Sequence, residues 1–144
     1  LWSVSPVQSP AMVRHYLDWR SSFPDSAKLS DNEAQAVMAA LLEAVSEKDS
    51  ICFLEGIRHY HQWMRKLSKQ TGLPIETPML SQAMGLAEQA DWICKISGAG
   101  GGDCALAFNP VSQASRTALE QVIKETGVQV LDLQIWRDYD TITA

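Results

Sequence analysis

The chain has 144 residues, of which 46% are hydrophobic, enough for one domain with a substantial core. Its 17 acidic residues against 12 basic ones leave a net charge of −5, which argues against nucleic acid or an anionic membrane as partner, since both select basic patches. No run approaches the roughly 18 apolar residues of a membrane span, and 3 cysteines without paired spacing predict reduced thiols and a cytoplasmic protein.

Leu1 to Ser5 reads as a short strand. The chain opens without methionine inside this apolar stretch, which predicts a piece of a longer protein. Ser9 and Pro10 suit a helix start, and Met12, Val13, Tyr16 and Leu17 give that helix an apolar face reaching about Trp19. His15 is expected to be a solvent-facing or partly buried residue rather than a ligand. Ser21 to Leu29, with Pro24, Asp25 and Ser26, reads as a loop. Ser30-Asp31-Asn32-Glu33 fits a capping box, followed by an apolar stripe at Ala34, Val37, Met38, Leu41, Leu42 and Val45.

Glu47-Lys48-Asp49-Ser50 is a polar break with a helix cap in it. Phe53, Ile57, Tyr60, Met64 and Leu67 form the stripe of the next helix, which Gly72 closes as a left-handed cap and Pro74 prevents from resuming. His59 and His61 stand two apart and point to nearly opposite sides of a helix. Chelating pairs use spacings of three or four, so no metal site is expected. Arg58, Arg65, Lys66 and Lys69 read as a solvated basic face near the helix end. Thr77-Pro78 starts another helix, with Leu80, Ala83 or Met84, and Ala87 facing inward.

An apolar run from Trp92 to Ile96 and another from Cys104 to Phe108 are both of strand length. They flank Ser97-Gly98-Ala99-Gly100-Gly101-Gly102-Asp103. Cys94 and Cys104, in apolar strands, read as core residues. Asn109-Pro110 starts a last helix, with Ala114, Ala118, Leu119, Val122 and Ile123 on its buried side and Gly127 at its end. Val128 to Ile135 reads as the final strand, and Trp136 to Ala144 as a polar tail.

The glycine loop is the segment with chemistry in it. Glycine lets another group approach the main chain closely, and successive backbone N–H groups can form a concave anion site. The loop is not a phosphate P-loop, because Gly102 is followed by Asp103-Cys104 and not by Lys-Ser/Thr. It is not a dinucleotide fingerprint either, since Asp103 stands where the third glycine should be and a strand follows where a helix should. A hairpin loop without a ligand remains the plain alternative.

Ser97-Gly98-Ala99-Gly100-Gly101-Gly102-Asp103-Cys104 resembles the third motif of the GHMP kinases. Lys95 and the spelling Gly-Gly-Gly-Asp-Cys resemble most the phosphomevalonate kinase branch. Thr77-Pro78-Met79-Leu80 and Ala87 follow the family's C-terminal order. Trp2-Ser3-Val4-Ser5-Pro6-Val7-Gln8-Ser9 is similar to that branch's Trp-Thr-Gly-Ser-Pro-Ala-Ser-Thr segment but departs from it, chiefly at Val4 and Gln8. The family's first two motifs have no counterpart.

The resemblance implies an α+β fold: a ferredoxin-like two-layer sandwich, with a four-stranded antiparallel sheet and helices on one face. It implies that residues 1–144 are the C-terminal domain of a two-domain kinase moving a phosphoryl group from ATP to phosphomevalonate in isoprenoid precursor synthesis. Ser97, Gly98, Ala99, Gly100 and Gly101 would line the acceptor side, and Gly102 and Asp103 would position the loop. No catalytic residue would lie in this chain, and ATP and Mg2+ would be held mainly by a missing N-terminal domain. The alternatives are a non-catalytic binding module of the same fold, or another branch such as mevalonate or sugar kinase. An apolar patch near Trp2, Trp136 and the glycine loop would be left uncovered, and the isolated domain would self-associate through it. As a surface loop, the glycine segment would have little packing to lose on substitution.

Overall fold

Local signals set most element ends, as the computed structural model shows over residues 1–2, 9–98, 101, 104–109 and 116–131. Helices α1 (Ser9–Ser22), α2 (Pro24–Glu47), α3 (Ser50–Thr71) and α4 (Pro78–Gln89) precede strands β1 (Ile93–Ile96) and β2 (Ala105–Phe108). Helix α5 (Arg116–Ile123) runs into a single 3-10 turn, Lys124–Thr126. Asp49 caps α3 by accepting from the amides of Ile51 and Cys52, and these bonds hold its carboxyl below the usual range. Thr77 Oγ1 accepts from Leu80 N at 3.3 Å at the start of α4. Gly72 (φ +73°) and Gly127 (φ +75°) end their helical segments in the left-handed conformation.

The expected loop over Ser21 to Leu29 is helical apart from Phe23. Pro24 is the reason. At a first helical position its missing N–H costs nothing and its φ is already helical, so α2 begins there and runs through the supposed capping box. Ser30 is buried and caps nothing; Trp63 Nε1 donates to both its carbonyl and its Oγ at 3.1 Å. The α2 stripe is only half used. Leu41 and Ala44 are buried, whereas Met38, Leu42 and Val45 are exposed. The contact line with α3 runs past Gly56, where an added Cβ would lie 2.6 Å from Leu41 Cδ2, and the neighbouring positions of α2 fall outside it.

His15 ties α1 to the end of α3, its Nε2 lying 2.7 Å from the Thr71 carbonyl; that bond requires Nε2 to carry the proton. Asp31 links α2 to α1, accepting from Tyr16 Oη at 2.9 Å and pairing with Arg20 at 3.1 Å. The main core joins α3, α4, β1, β2 and α5, with Leu80, Ala83, Met84 and Ala87 fully buried. Each large apolar side chain placed there contributes about 1.5–3 kcal/mol.

Strands β1 and β2 pair antiparallel, Ile93 with Phe108 through Ile96 with Ala105. Leu1 exchanges two backbone hydrogen bonds with Ala105, both 3.0 Å, and Trp2 two with Gln129, at 2.8 and 3.1 Å. The first residues therefore lie between β2 and Gln129, but only as isolated bridges. Among the described residues the sheet is two-stranded and antiparallel, in a mostly helical α+β chain. The expected four-stranded ferredoxin-like sheet is not what these residues form. Most of its first strand and half of its last fall outside them, as do Pro110, Ala114 and the tail from Trp136. Nor do helices sit on one face alone along β1. Ile93 packs with Leu41 and Ile57, while Cys94 and Ile96 join the cluster that holds Leu80 and Met84.

Exposed apolar side chains stand on α1 and α2, among them Val13, Leu17, Leu29, Leu42 and Val45, and also at Leu106 in β2 and at Leu131, while Trp2 is half-buried and bridged on both sides; Trp136 and most of the glycine loop lie outside the described residues.

Candidate functional site

The β1–β2 connection holds the glycine loop. Its near end is closed by the ladder, where Ser97 N donates to Cys104 O at 3.0 Å. Ser97 and Gly98 are exposed. Gly98 turns the chain at φ +69°, and an added Cβ there would meet nothing within 4 Å. Gly101 behaves oppositely. It is buried, sits at φ +96°, and donates its N–H to Ile75 O at 2.9 Å. Ile75 is itself core, 2% exposed. The loop is thus pinned twice, to its own hairpin and to the segment between α3 and α4, with an open stretch at Ser97–Gly98. Ala99, Gly100, Gly102 and Asp103 lie outside the described residues.

Lys95 enters from β1 just before the loop. Its Nζ lies 5.2 Å from the centroid of the Tyr60 ring, a cation–π distance, and half-burial lowers its pKa from the ordinary lysine value. No carboxylate among the described residues is within ion-pair reach of it. Cys94, on the same strand, is buried and its thiol is pushed up to about 12 by desolvation, so it is a core residue and not a nucleophile.

Glu76, next to Ile75, belongs to a cluster that sequence reading missed. Arg65 Nε donates to Glu76 Oε1 at 2.9 Å and Arg65 Nη1 stands 3.8 Å from Glu88 Oε2. His61 is buried beside them, Nε2 at 3.4 Å from Glu76 Oε1 and 3.8 Å from Glu88 Oε1. Neither ring nitrogen makes a hydrogen bond of acceptable geometry. Desolvation first, then Arg65, pulls the His61 pKa down to about 4, with Glu76 opposing; the imidazole is neutral at pH 7. The partners lie on different elements, so no local spacing announces them. His59 is exposed, opposite His61, as the helical spacing requires. Among the described residues no group of three or more His, Cys, Asp or Glu side chains could hold a metal. The basic face is partly neutralised: Arg65 by Glu76, Lys66 by Glu33 and Arg58 by Glu55.

The family profile described as GHMP kinases C terminal matches residues 38–129, a span that takes in α3, α4, both strands, the loop and α5. The chain belongs to the GHMP kinase C-terminal domain family. Phosphomevalonate kinase from Streptomyces sp. (strain CL190) is 32% identical over 136 residues, covering 92% of this chain and 36% of that protein. The crystal structure of a Lin0012 protein from Listeria innocua superposes with a TM-score of 0.85 at 23% identity, over 94% of this chain and 38% of the other. That likeness supports the fold. The chain therefore spans little more than a third of the length of these two proteins. Among the described residues no helix is long and apolar enough to cross a membrane.

Proposed function

We propose that this GHMP kinase domain is the acceptor side of an ATP-dependent small-molecule kinase whose substrate is a phosphorylated alcohol, phosphomevalonate before any other. The observation that carries the reading is the loop: a glycine-rich segment pinned at Ser97 and Gly101, with Ser97 and Gly98 open to an incoming molecule. The chain's 32% identity to a phosphomevalonate kinase supports the choice of acceptor. Ser97, Gly98, Ala99, Gly100 and Gly101 line the acceptor side. The N–H groups of Ser97 and Gly101 are spent on Cys104 O and Ile75 O, so the backbone N–H groups between them and the hydroxyl of Ser97 hold the acceptor's anionic groups, and Gly102 and Asp103 position the loop. Phosphoryl transfer needs mainly positioning and charge stabilisation, and this domain contributes the positioning.

ATP and Mg2+ belong, in this reading, mainly to an N-terminal domain of the same protein. When bound, Mg2+ neutralises charge on the transferring phosphates; the described residues offer no carboxylate set for it. The Leu1–Trp2 and Gln129 bridges beside β2 support a four-stranded ferredoxin-like sheet in the whole protein. A cytoplasmic place in isoprenoid precursor synthesis completes the proposal, and the isolated domain self-associates through an apolar patch near Trp2, Trp136 and the glycine loop.

The test is ADP release by the full-length protein carrying this chain, with phosphomevalonate, mevalonate, homoserine and galactose as rival acceptors. Phosphomevalonate should give the highest kcat/KM by at least tenfold, and the isolated chain should give no turnover. Preference for an unphosphorylated alcohol would move the protein to another branch, and no turnover with any acceptor would favour a binding module.

A further inference from the structure

A cavity of about 390 Å³ opens between α1, α2, α3 and the Leu73–Ile75 segment, within the ordinary size range of small-molecule sites, about 300–1,000 Å³. The described walls are largely apolar, with Met12, Tyr60, Trp63, Met64, Leu67 and Ile75 among them. One carboxylate, Asp31, reaches the wall among the described residues, and it is already satisfied by Tyr16 Oη and Arg20. The described residues therefore give the cavity no unspent negative charge with which to hold a cation, and few polar groups with which to hold a sugar or a polar acid along its length.

Two neighbouring features are not apolar: Gly98 in the wall, and Lys95, which does not line the cavity but lies against a residue that does. Gly98 of the exposed loop lines the cavity. Tyr60, which forms part of the wall, also carries the Lys95 ammonium 5.2 Å from its ring centre. That ammonium is half-buried, so its charge is partly desolvated, and no carboxylate among the described residues pairs with it. An anion held beside it would gain more there than at an open surface, where water screens the pair. Phosphomevalonate, short and polar at both ends, does not match a largely apolar cavity of this size.

We infer that the cavity and Lys95 together form a second site, separate from the acceptor loop, for a single-chain amphiphile: an apolar tail lodged against Met12, Trp63 and Met64 and an anionic head on Lys95. Because Gly98 belongs to both the cavity wall and the acceptor loop, an occupant of this site bears directly on the loop.

Octyl phosphate, below its micelle concentration, is the probe. Its binding to this chain is read by calorimetry and by the fluorescence of tryptophan, since Trp63 lies in the wall. Neither ATP nor an acceptor is needed, so the outcome stands apart from the kinase reading. Saturable binding is expected, with inorganic phosphate failing to saturate over the same range and 1-octanol at least tenfold weaker than octyl phosphate. Lys95→Gln should weaken octyl phosphate about tenfold and leave 1-octanol within twofold. Ala34→Trp, which fills the cavity from α2, should weaken both; if that variant does not fold, Lys95→Gln and the wild-type comparison decide alone. Vesicles of phosphatidylglycerol should not sediment the protein. Equal affinity for octyl phosphate and octanol, an unchanged Lys95→Gln variant, no octyl phosphate binding at millimolar concentration, or sedimentation with the vesicles would each overturn the inference.

Discussion

Gly101→Ala isolates the anchor that holds the loop. The residue sits at φ +96° with its N–H on Ile75 O at 2.9 Å. An L-residue there is strained by about 1–3 kcal/mol. If the backbone relaxes to escape that strain, the bond to Ile75 lengthens or breaks, and the carbonyl of a residue only 2% exposed loses its partner; an unsatisfied buried acceptor costs about 1–3 kcal/mol. The two costs are alternatives, not additive, because relaxing one incurs the other. The expected loss is therefore about 2 kcal/mol, or roughly 4–8 °C in Tm for a chain of this size. Urea unfolding of the isolated chain, with the slope checked for constancy, measures it. This differs from what a surface loop suggests, namely little loss of stability. A Gly101→Ala variant as stable as the parent would refute the anchoring argument, whatever its activity.

Gly85→Ala runs the other way: nothing lies within 4 Å of an added Cβ in mid-α4, so the variant should gain about 0.5–1 kcal/mol in the same urea assay. Gly56→Ala brings the same helical gain against a 2.6 Å clash with Leu41 Cδ2; overpacking of about 1–3 kcal/mol should win, and adding Leu41→Ala should cost less in that background than alone. His61 makes stability pH-dependent. Its folded pKa of about 4 lies below the ordinary 6.5, so below pH 6.5 the unfolded chain takes up the proton that the folded chain refuses. The contribution is intact above that pH and is lost progressively as pH falls toward 4, to a ceiling of about 3 kcal/mol. His61→Gln should flatten unfolding free energy against pH across that window, and parallel curves for parent and variant would rule the mechanism out.

Signals carried by a few neighbouring residues were legible in the chain. Thr77-Pro78, Asp49 and Gly72 each act within one helical turn, and Leu80, Met84 and Ala87 announce their burial by spacing alone. The glycine loop and its two flanking strands were legible for the same reason. What failed was competition between local signals: Pro24 and Ser30 each start a helix well, and the earlier one leaves the later one inside the helix, free to take Trp63 as partner. What could not be read were contacts between distant segments. Nothing near Gly101 points to Ile75, nothing near His61 points to Glu76 and Glu88, and the cavity exists only once α1 and α2 are laid against α3. The half-used stripe of α2 has the same origin, since Gly56 on another helix decides which side of α2 is covered.

The central claim, that the glycine loop receives the acceptor, is tested most directly by Ser97→Ala in the full-length protein. Ser97 is exposed, its backbone N–H stays on Cys104 O, and its hydroxyl has no partner among the described residues, so the substitution removes one donor and leaves the packing intact. Steady-state ADP release with each substrate varied in turn should show kcat/KM for phosphomevalonate reduced at least tenfold, about 1.4 kcal/mol of lost transition-state binding, with the KM for ATP within twofold and Tm unchanged. Wild-type kinetics for the acceptor in a protein of unchanged Tm would contradict the claim.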